Sequence, residues 1–360
     1  MEIGGFFEFP GSDEPEAGDS VCTALTSPGG KGDHHPLFLR DGRQAIHAIL
    51  HAAGIQGSGR VCHLPAYLCA SVLQPFLELG IPVKFYPHRP PLEPLLPPQV
   101  GNACILLIDT FGAPMVSPGE IEDLLARDNV VILDLSHSLL DASRFSLADP
   151  DLFLMASLRK IFPIPDGGIV WCTRNTEGGD LRDPAGYEPM VEAMRLKRKY
   201  LEEAGRPDLA PVKEKFLALY RAYGARKDAA PTIPEKIPGI SLEILRNISY
   251  RRILERRRSN LRFLADGVPG ALWLFDPREI TSPFFAPILL PTPESRERVK
   301  GALIRMGIYP PVHWLLPPEV PPEFRFEHDL SRRVLSIPID QRYEPAALEP
   351  VVSLLRQVEI

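Results

Sequence analysis

The feature that most constrains this chain is a series of short, unbroken apolar runs separated by helical stretches. "PVKFYP" (82–87), "NACILLID" (102–109), "VVILD" (130–134), "DLFLMAS" (151–157) and "GGIVWCT" (167–173) are strand-length and do not alternate with polar residues. A strand of that kind is buried on both faces, which a mostly parallel sheet covered by helices provides. The intervening helices are legible too. "RQAIHAILH" (43–51) sets Ile46, Ile49 and Leu50 on one face with Gly54 as terminator, and "PGEIEDLLARD" (118–128) forms a second helix. The expected fold class is therefore α/β.

Three segments follow. Residues 1–37 carry little hydrophobic period and many Gly, Pro and Asp, and are expected to form an irregular arm. Residues 38–240 form the large α/β domain, ending in the proline-rich "DAAPTIPEKIPG" (228–239). Residues 241–360 are expected to form a small α+β domain. It opens with "LEILRNISYRRILERRRSNLRFLADG", read as one helix carrying seven arginines between Arg246 and Arg262. Its Ile248, Ile253, Leu254 and Leu261 favour an amphipathic helix with a solvated or subunit-facing basic side over an RNA-binding one. Strand-like "APILLP", helical "ESRERVKGALIRMG", strand-like "RVLSIPI" and a last helix complete the chain.

Composition removes several function classes. A net charge of −6 argues against nucleic acid or an acidic membrane as main partner. No apolar stretch approaches the roughly 18 residues of a membrane span, and the acidic start lacks the pattern of a signal peptide. Five scattered cysteines without a Cys-x-x-Cys give neither a metal site nor a disulfide framework. A cytoplasmic protein is the expectation.

Ligands of open α/β sheets bind at the carboxyl ends of the strands, and three of those ends carry polar residues: Asp109, Asp134 and, just past "FLMAS", Lys160. His137 follows Asp134 by three. Each has a structural alternative. Asp109 can cap a turn, Asp134 can cap the next segment, His137 can be a satisfied buried histidine, and Lys160 can reach the surface along its aliphatic stem. Together, though, a lysine, a neighbouring carboxylate and a helix N-terminus are the three supports of pyridoxal 5'-phosphate. The lysine amine condenses with the aldehyde, and the carboxylate keeps the pyridine nitrogen protonated. The phosphate sits at the helix start, here "DGRQAI" with Gly42, and Ser157 adds a hydroxyl. Gly167 and Gly168 are read as letting the chain turn tightly beneath Lys160. No Gly-x-Gly-x-x-Gly or Walker-type motif supports a dinucleotide- or nucleotide-binding rival.

These segments, in this order, resemble the DegT/DnrJ/StrS sugar aminotransferases of fold type I, the aspartate aminotransferase-like fold. "DGRQAI" is similar to the family's Ser-Gly-Thr-x-Ala-Leu segment, "LPAYLCAS" to its proline–aromatic segment, and "IDTFGAP" to its strand–loop ending in Gly-x-Pro. "ILDLSHS" and "SLRKIFPIPDGG" resemble the pyridine-partner and lysine motifs, and "RRRSN", "GIYPPVHW" and "VLSIPID" the C-terminal domain. The resemblance implies an aldimine at Lys160, Asp134 on the pyridine nitrogen and His137 near the phenolic oxygen. It implies Gly42, Arg43 and Ser157 around the cofactor, with Tyr67 or Cys69 covering its ring, and His313 as a candidate substrate contact or a turn residue. It further implies glutamate as amino donor, a nucleotide-linked keto-sugar as acceptor, and a homodimer with shared active sites. Another pyridoxal phosphate reaction (lyase or dehydratase) and a catalytically inactive binding protein are the alternatives. Serine lies three residues before the lysine where the family has five, the cross-dimer Asn-Tyr-Arg motif is missing, and residues 174–240 match poorly.

Overall fold

The structure, a computed structural model, describes residues 2–11, 15–16, 18–26, 36–97, 99–174, 181–204, 206 and 208–359. Its centre is a seven-stranded sheet in the order Leu37–Leu39, Gly168–Trp171, Leu152–Ser157, Val130–Asp134, Cys104–Ile108, Cys62–Pro65, Val83–Tyr86. Gly168–Trp171 runs antiparallel to both its neighbours, and the other pairings are parallel. The apolar runs behave as their lack of alternation requires. Ile105, Leu107, Val131, Leu133 and Leu154 enter the core on one face of the sheet. Cys104, Leu106, Ile132, Phe153 and Met155 enter a second core on the other, beneath the Gly42–Ala52 and Ala70–Glu78 helices. Register aligns Ile108 with Asp134 and Asp134 with Met155, so the strands end along one line.

A third core holds the antiparallel pair of Phe285–Leu289 with Val334–Pro338 and the helices around it. The segment expected as one arginine-rich helix is two, Gly239–Arg246 and Tyr250–Gly267. The Ser249 hydroxyl accepts from Arg252 N (3.1 Å), starting the second helix with a cap that outweighs continuity. Nor is its basic side wholly solvated. Arg257 is 1 % exposed, its guanidinium donating to Gln341 Oε1 (2.9 Å) and to the carbonyls of Pro283 (3.2 Å) and Phe284 (2.9 Å).

The start of the chain is better built than an irregular arm. Ile3–Gly4 pairs in parallel with Ile308–Tyr309, and helix Val21–Thr26 buries Val21 and Leu25, whose carbonyl accepts from Trp171 Nε1 (2.7 Å). Parts of that arm, 12–14, 17 and 27–35, lie outside the described residues. No helix among the described residues is long and apolar enough to cross a membrane.

Candidate active site

At the carboxyl edge of the sheet, Gly42, Arg43, Asp134, Ser157 and Lys160 line one small cavity. Asp134, 4 % exposed, accepts from Ser136 N through Oδ1 (2.8 Å), while Oδ2 receives no hydrogen bond from the described residues. Lys160 faces it from just past the neighbouring strand, and what surface it exposes opens into this cavity and a larger one beside it. Burial pushes the Lys160 ammonium below the ordinary lysine range. Asp134 and Cys69 oppose that shift, and Arg159 adds to it.

His137 sits 3.4 Å from Lys160 Nζ through Nε2. Its Nδ1 accepts from Phe111 N (3.2 Å), so in the neutral ring Nε2 carries the proton. The ring lies between Phe284 (centroids 4.0 Å apart) and Trp314 (5.0 Å). Burial, then the charge of Lys160 and His313, holds its pKa well below the usual histidine range. The result is a neutral imidazole whose N–H faces the Lys160 amine, while the ring itself is buried and lines neither cavity. Phe111 N is aimed by the "DTFGAP" loop, where Phe111 (φ 60°) and Gly112 (φ 80°) are both left-handed. Asp109 belongs to that loop. Fully buried, it accepts from Met115 N (3.0 Å) and pairs with Arg144, so of its two readings the turn-holding one stands.

The other expected residues are placed differently. Tyr67 is fully buried, gives its hydroxyl to the His313 carbonyl and packs on Trp314, and it lines neither cavity. Cys69 starts the Ala70–Glu78 helix with Sγ 3.2 Å from Ser71 Oγ. Neither lines the small cavity; Ser71 and Val72 do, because the helix turns its first face there. His313 lines the larger cavity and bonds Ser336 Oγ through Nδ1 (2.8 Å). Gly167 and Gly168 are not turn glycines. A Cβ at 168 would meet Asp41 O at 2.4 Å, a backbone atom, so space is the reason there, whereas one at 167 would meet Ile164 Cδ1 at 2.6 Å, the tip of a side chain that can shift.

The start of the Gly42–Ala52 helix departs most from expectation. Asp41 caps it, accepting from Arg43 N (2.9 Å) and Gln44 N (3.1 Å), so those amides are not free for a phosphate. Lys227 lies 3.2 Å from Asp41 and also binds Asp166, which in turn pairs with Arg40 (3.4 Å). Lys227 and Arg159 also line the small cavity. Nothing in the sequence marks Lys227, which sits in the poorly matching 174–240 stretch, whereas Arg159 stood in plain view beside Lys160.

Burial pushes the His313 pKa down to about 3, with Lys160 adding to the shift. A group depressed in the fold binds fewer protons there than when unfolded. Its contribution to stability is therefore present above the unfolded value, near 6.5, and is lost as pH falls towards 3. Urea titrations should show His313→Gln retaining about 1–3 kcal/mol more of its neutral-pH stability at pH 4 than the wild type does. Equal acid losses would mean His313 is not held neutral.

No family model matches the chain, and no curated protein matches it. Solved structures do. An aminotransferase of the DegT DnrJ EryC1 StrS type from Brucella abortus is 17 % identical, with a TM-score of 0.56 over 93 % of this chain and 88 % of that one. The sugar aminotransferase CalS13 from Micromonospora echinospora is 16 % identical, with 0.58 over 95 % and 93 %. DesI, solved in the presence of its TDP-sugar product, is 13 % identical, with 0.61 over 93 % and 83 %. The fold is that of the sugar aminotransferases. The α/β class expected from the apolar runs, with its mostly parallel sheet, is the one this fold has.

Proposed function

We propose that this chain is a pyridoxal phosphate-dependent aminotransferase that moves an amino group from glutamate to a nucleotide-linked keto-sugar. One observation carries the reading: a Lys160 amine whose charge is disfavoured shares a cavity with an Asp134 carboxylate, one oxygen of which receives no hydrogen bond among the described residues. Bound there, the cofactor supplies an electron sink for the carbanion left when a substrate proton is removed. Asp134 Oδ2 would accept from a protonated ring nitrogen, and the His137 Nε2–H beside Lys160 would be the donor to the ring's phenolic oxygen. The Lys160 amine moves the proton at the substrate carbon as general base and acid. Arg43, Arg159, Lys227 and the Ser157 hydroxyl are the donors available to the phosphate. The ring and aldehyde end therefore fit this donor set, and the phosphate end relies on side-chain cations.

The second cavity, of about 440 Å³, opens on Lys160 and His313 between Phe216, Tyr220 and Phe284. Arg159, Lys197, Lys213, Arg257 and Arg342 line it with Glu2 and Asp340, an excess of cation that favours an anionic substrate. This supports a nucleotide-linked acceptor with His313 at its edge, in keeping with the sugar nucleotide named for DesI. A cytoplasmic homodimer with shared active sites completes the proposal, by analogy with the family the chain resembles.

The test is to add pyridoxal phosphate to the purified chain, follow the visible spectrum, reduce with borohydride and map the label by mass spectrometry. A visible band that glutamate bleaches, with reduced label on Lys160 and neither in Lys160→Ala, is the expected result. No band and no label in the wild type would end the reading.

A further inference from the structure

We propose that Asp41 is a built-in anion in the phosphate end of the cofactor cavity, and that it sets how weakly this chain holds a phosphorylated ligand. The inference rests on the cofactor reading above and concerns residues that reading leaves unexplained. Asp41 is 5 % exposed and lines the small cavity with Lys160 and Asp134. Its Oδ1 takes the second and third amides of the Gly42–Ala52 helix, Arg43 N and Gln44 N. Its Oδ2 lies 3.2 Å from Lys227 Nζ and 3.5 Å from the Arg43 guanidinium. Two of the first-turn amides and two cations that a phosphate would use are thus already engaged by one carboxylate.

Charge makes the same point. The cavity is lined by Arg43, Arg159, Lys160 and Lys227 and by Asp41, Asp134 and Asp228. With Lys160 set aside as the group that takes the aldehyde, three cations face three carboxylates, and a phosphate dianion enters with no net charge to meet it. It must share Lys227 and Arg43 with Asp41. Its best partner is Arg159, which makes no hydrogen bond or close ion pair among the described residues. Burial raises the Asp41 pKa and Lys227 and Arg43 outweigh it, so the group stays ionised and pH does not relieve the competition.

The experiment titrates the wild-type chain and Asp41→Asn with pyridoxal phosphate, pyridoxal and inorganic phosphate, reading dissociation constants rather than turnover. Asparagine keeps the helix cap while removing the charge, and Lys227 keeps Asp166 as partner. The wild type is expected to prefer pyridoxal phosphate over pyridoxal by less than about thirtyfold, the scale of one charge-assisted hydrogen bond. Asp41→Asn should bind pyridoxal phosphate and inorganic phosphate about tenfold tighter or more, with pyridoxal unchanged. A larger wild-type preference overturns the proposal with no variant needed. So does a folded Asp41→Asn without the gain. If neither aldehyde reacts with Lys160, the aminotransferase reading fails instead, and the inorganic phosphate titrations still decide the role of Asp41.

Discussion

Lys160→Met is expected to yield a chain more stable than the wild type and incapable of turnover. The two effects have one cause. Burial, with Arg159 adding to it, outweighs the attraction of Asp134 and Cys69 and leaves the ammonium disfavoured in the fold. An amine whose charge is disfavoured is more readily a nucleophile and a proton carrier, but it costs the fold something at every pH where the free lysine would be charged. Methionine fills the same length without that penalty. Unfolding of the ligand-free protein should move up by about 1 kcal/mol at neutral pH. The linkage fixes the sign. Between the lowered pKa and the ordinary value of 10.5 the unfolded chain binds more protons, so wild-type stability rises with pH, and in Lys160→Met that rise should flatten. Transamination should fall by about 10⁴-fold or more, since no neighbouring group can replace both functions. Turnover within tenfold of wild type, or a variant less stable at neutral pH, would each contradict this account.

What the sequence disclosed and what it hid divide along physical lines. Strands buried on both faces write themselves as unbroken apolar runs, so the sheet and its carboxyl edge, with Asp134 and Lys160, could be read directly. Contacts made by backbone leave no such mark. That Tyr67 gives its hydroxyl to a carbonyl, or that Gly168 is glycine because the Asp41 backbone passes against it, depends on a close approach between segments distant in sequence. A helix cap is legible only when its role is not contested. "DGRQAI" reads equally as a capped helix and as an open phosphate seat, and only the bonds from Arg43 N and Gln44 N to Asp41 separate the two. Lys227 was beyond reach for another reason. It comes from helix Ala210–Ala229, whose sequence carries no motif, and its partners Asp41 and Asp166 lie 186 and 61 positions earlier (227 − 41 and 227 − 166).

The loop that aims His137 supplies the second large effect. Gly112→Ala is expected to cost about 4 kcal/mol or more, or to leave no folded protein. Gly112 has φ 80°, and a Cβ there would stand 1.7 Å from Ser282 O and 3.0 Å from His137 O, both backbone atoms that cannot rotate aside. The approach is fixed by two bonds, since Thr281 N and Ser282 N both donate to Gly112 O at 3.1 Å. Gly54→Ala is the control. Its φ is 63° but nothing lies within 4 Å of a Cβ, so only the left-handed backbone is penalised, by about 1 kcal/mol. Denaturant titrations of the two variants separate conformational cost from collision. Any Gly112→Ala protein that folds must move Phe111, and with it the N–H that holds His137 Nδ1 as acceptor. Its imidazole should then lose the single neutral tautomer that nitrogen NMR would report in the wild type. A Gly112→Ala chain as stable as Gly54→Ala, with that tautomer intact, would mean the loop does not position the histidine beside Lys160.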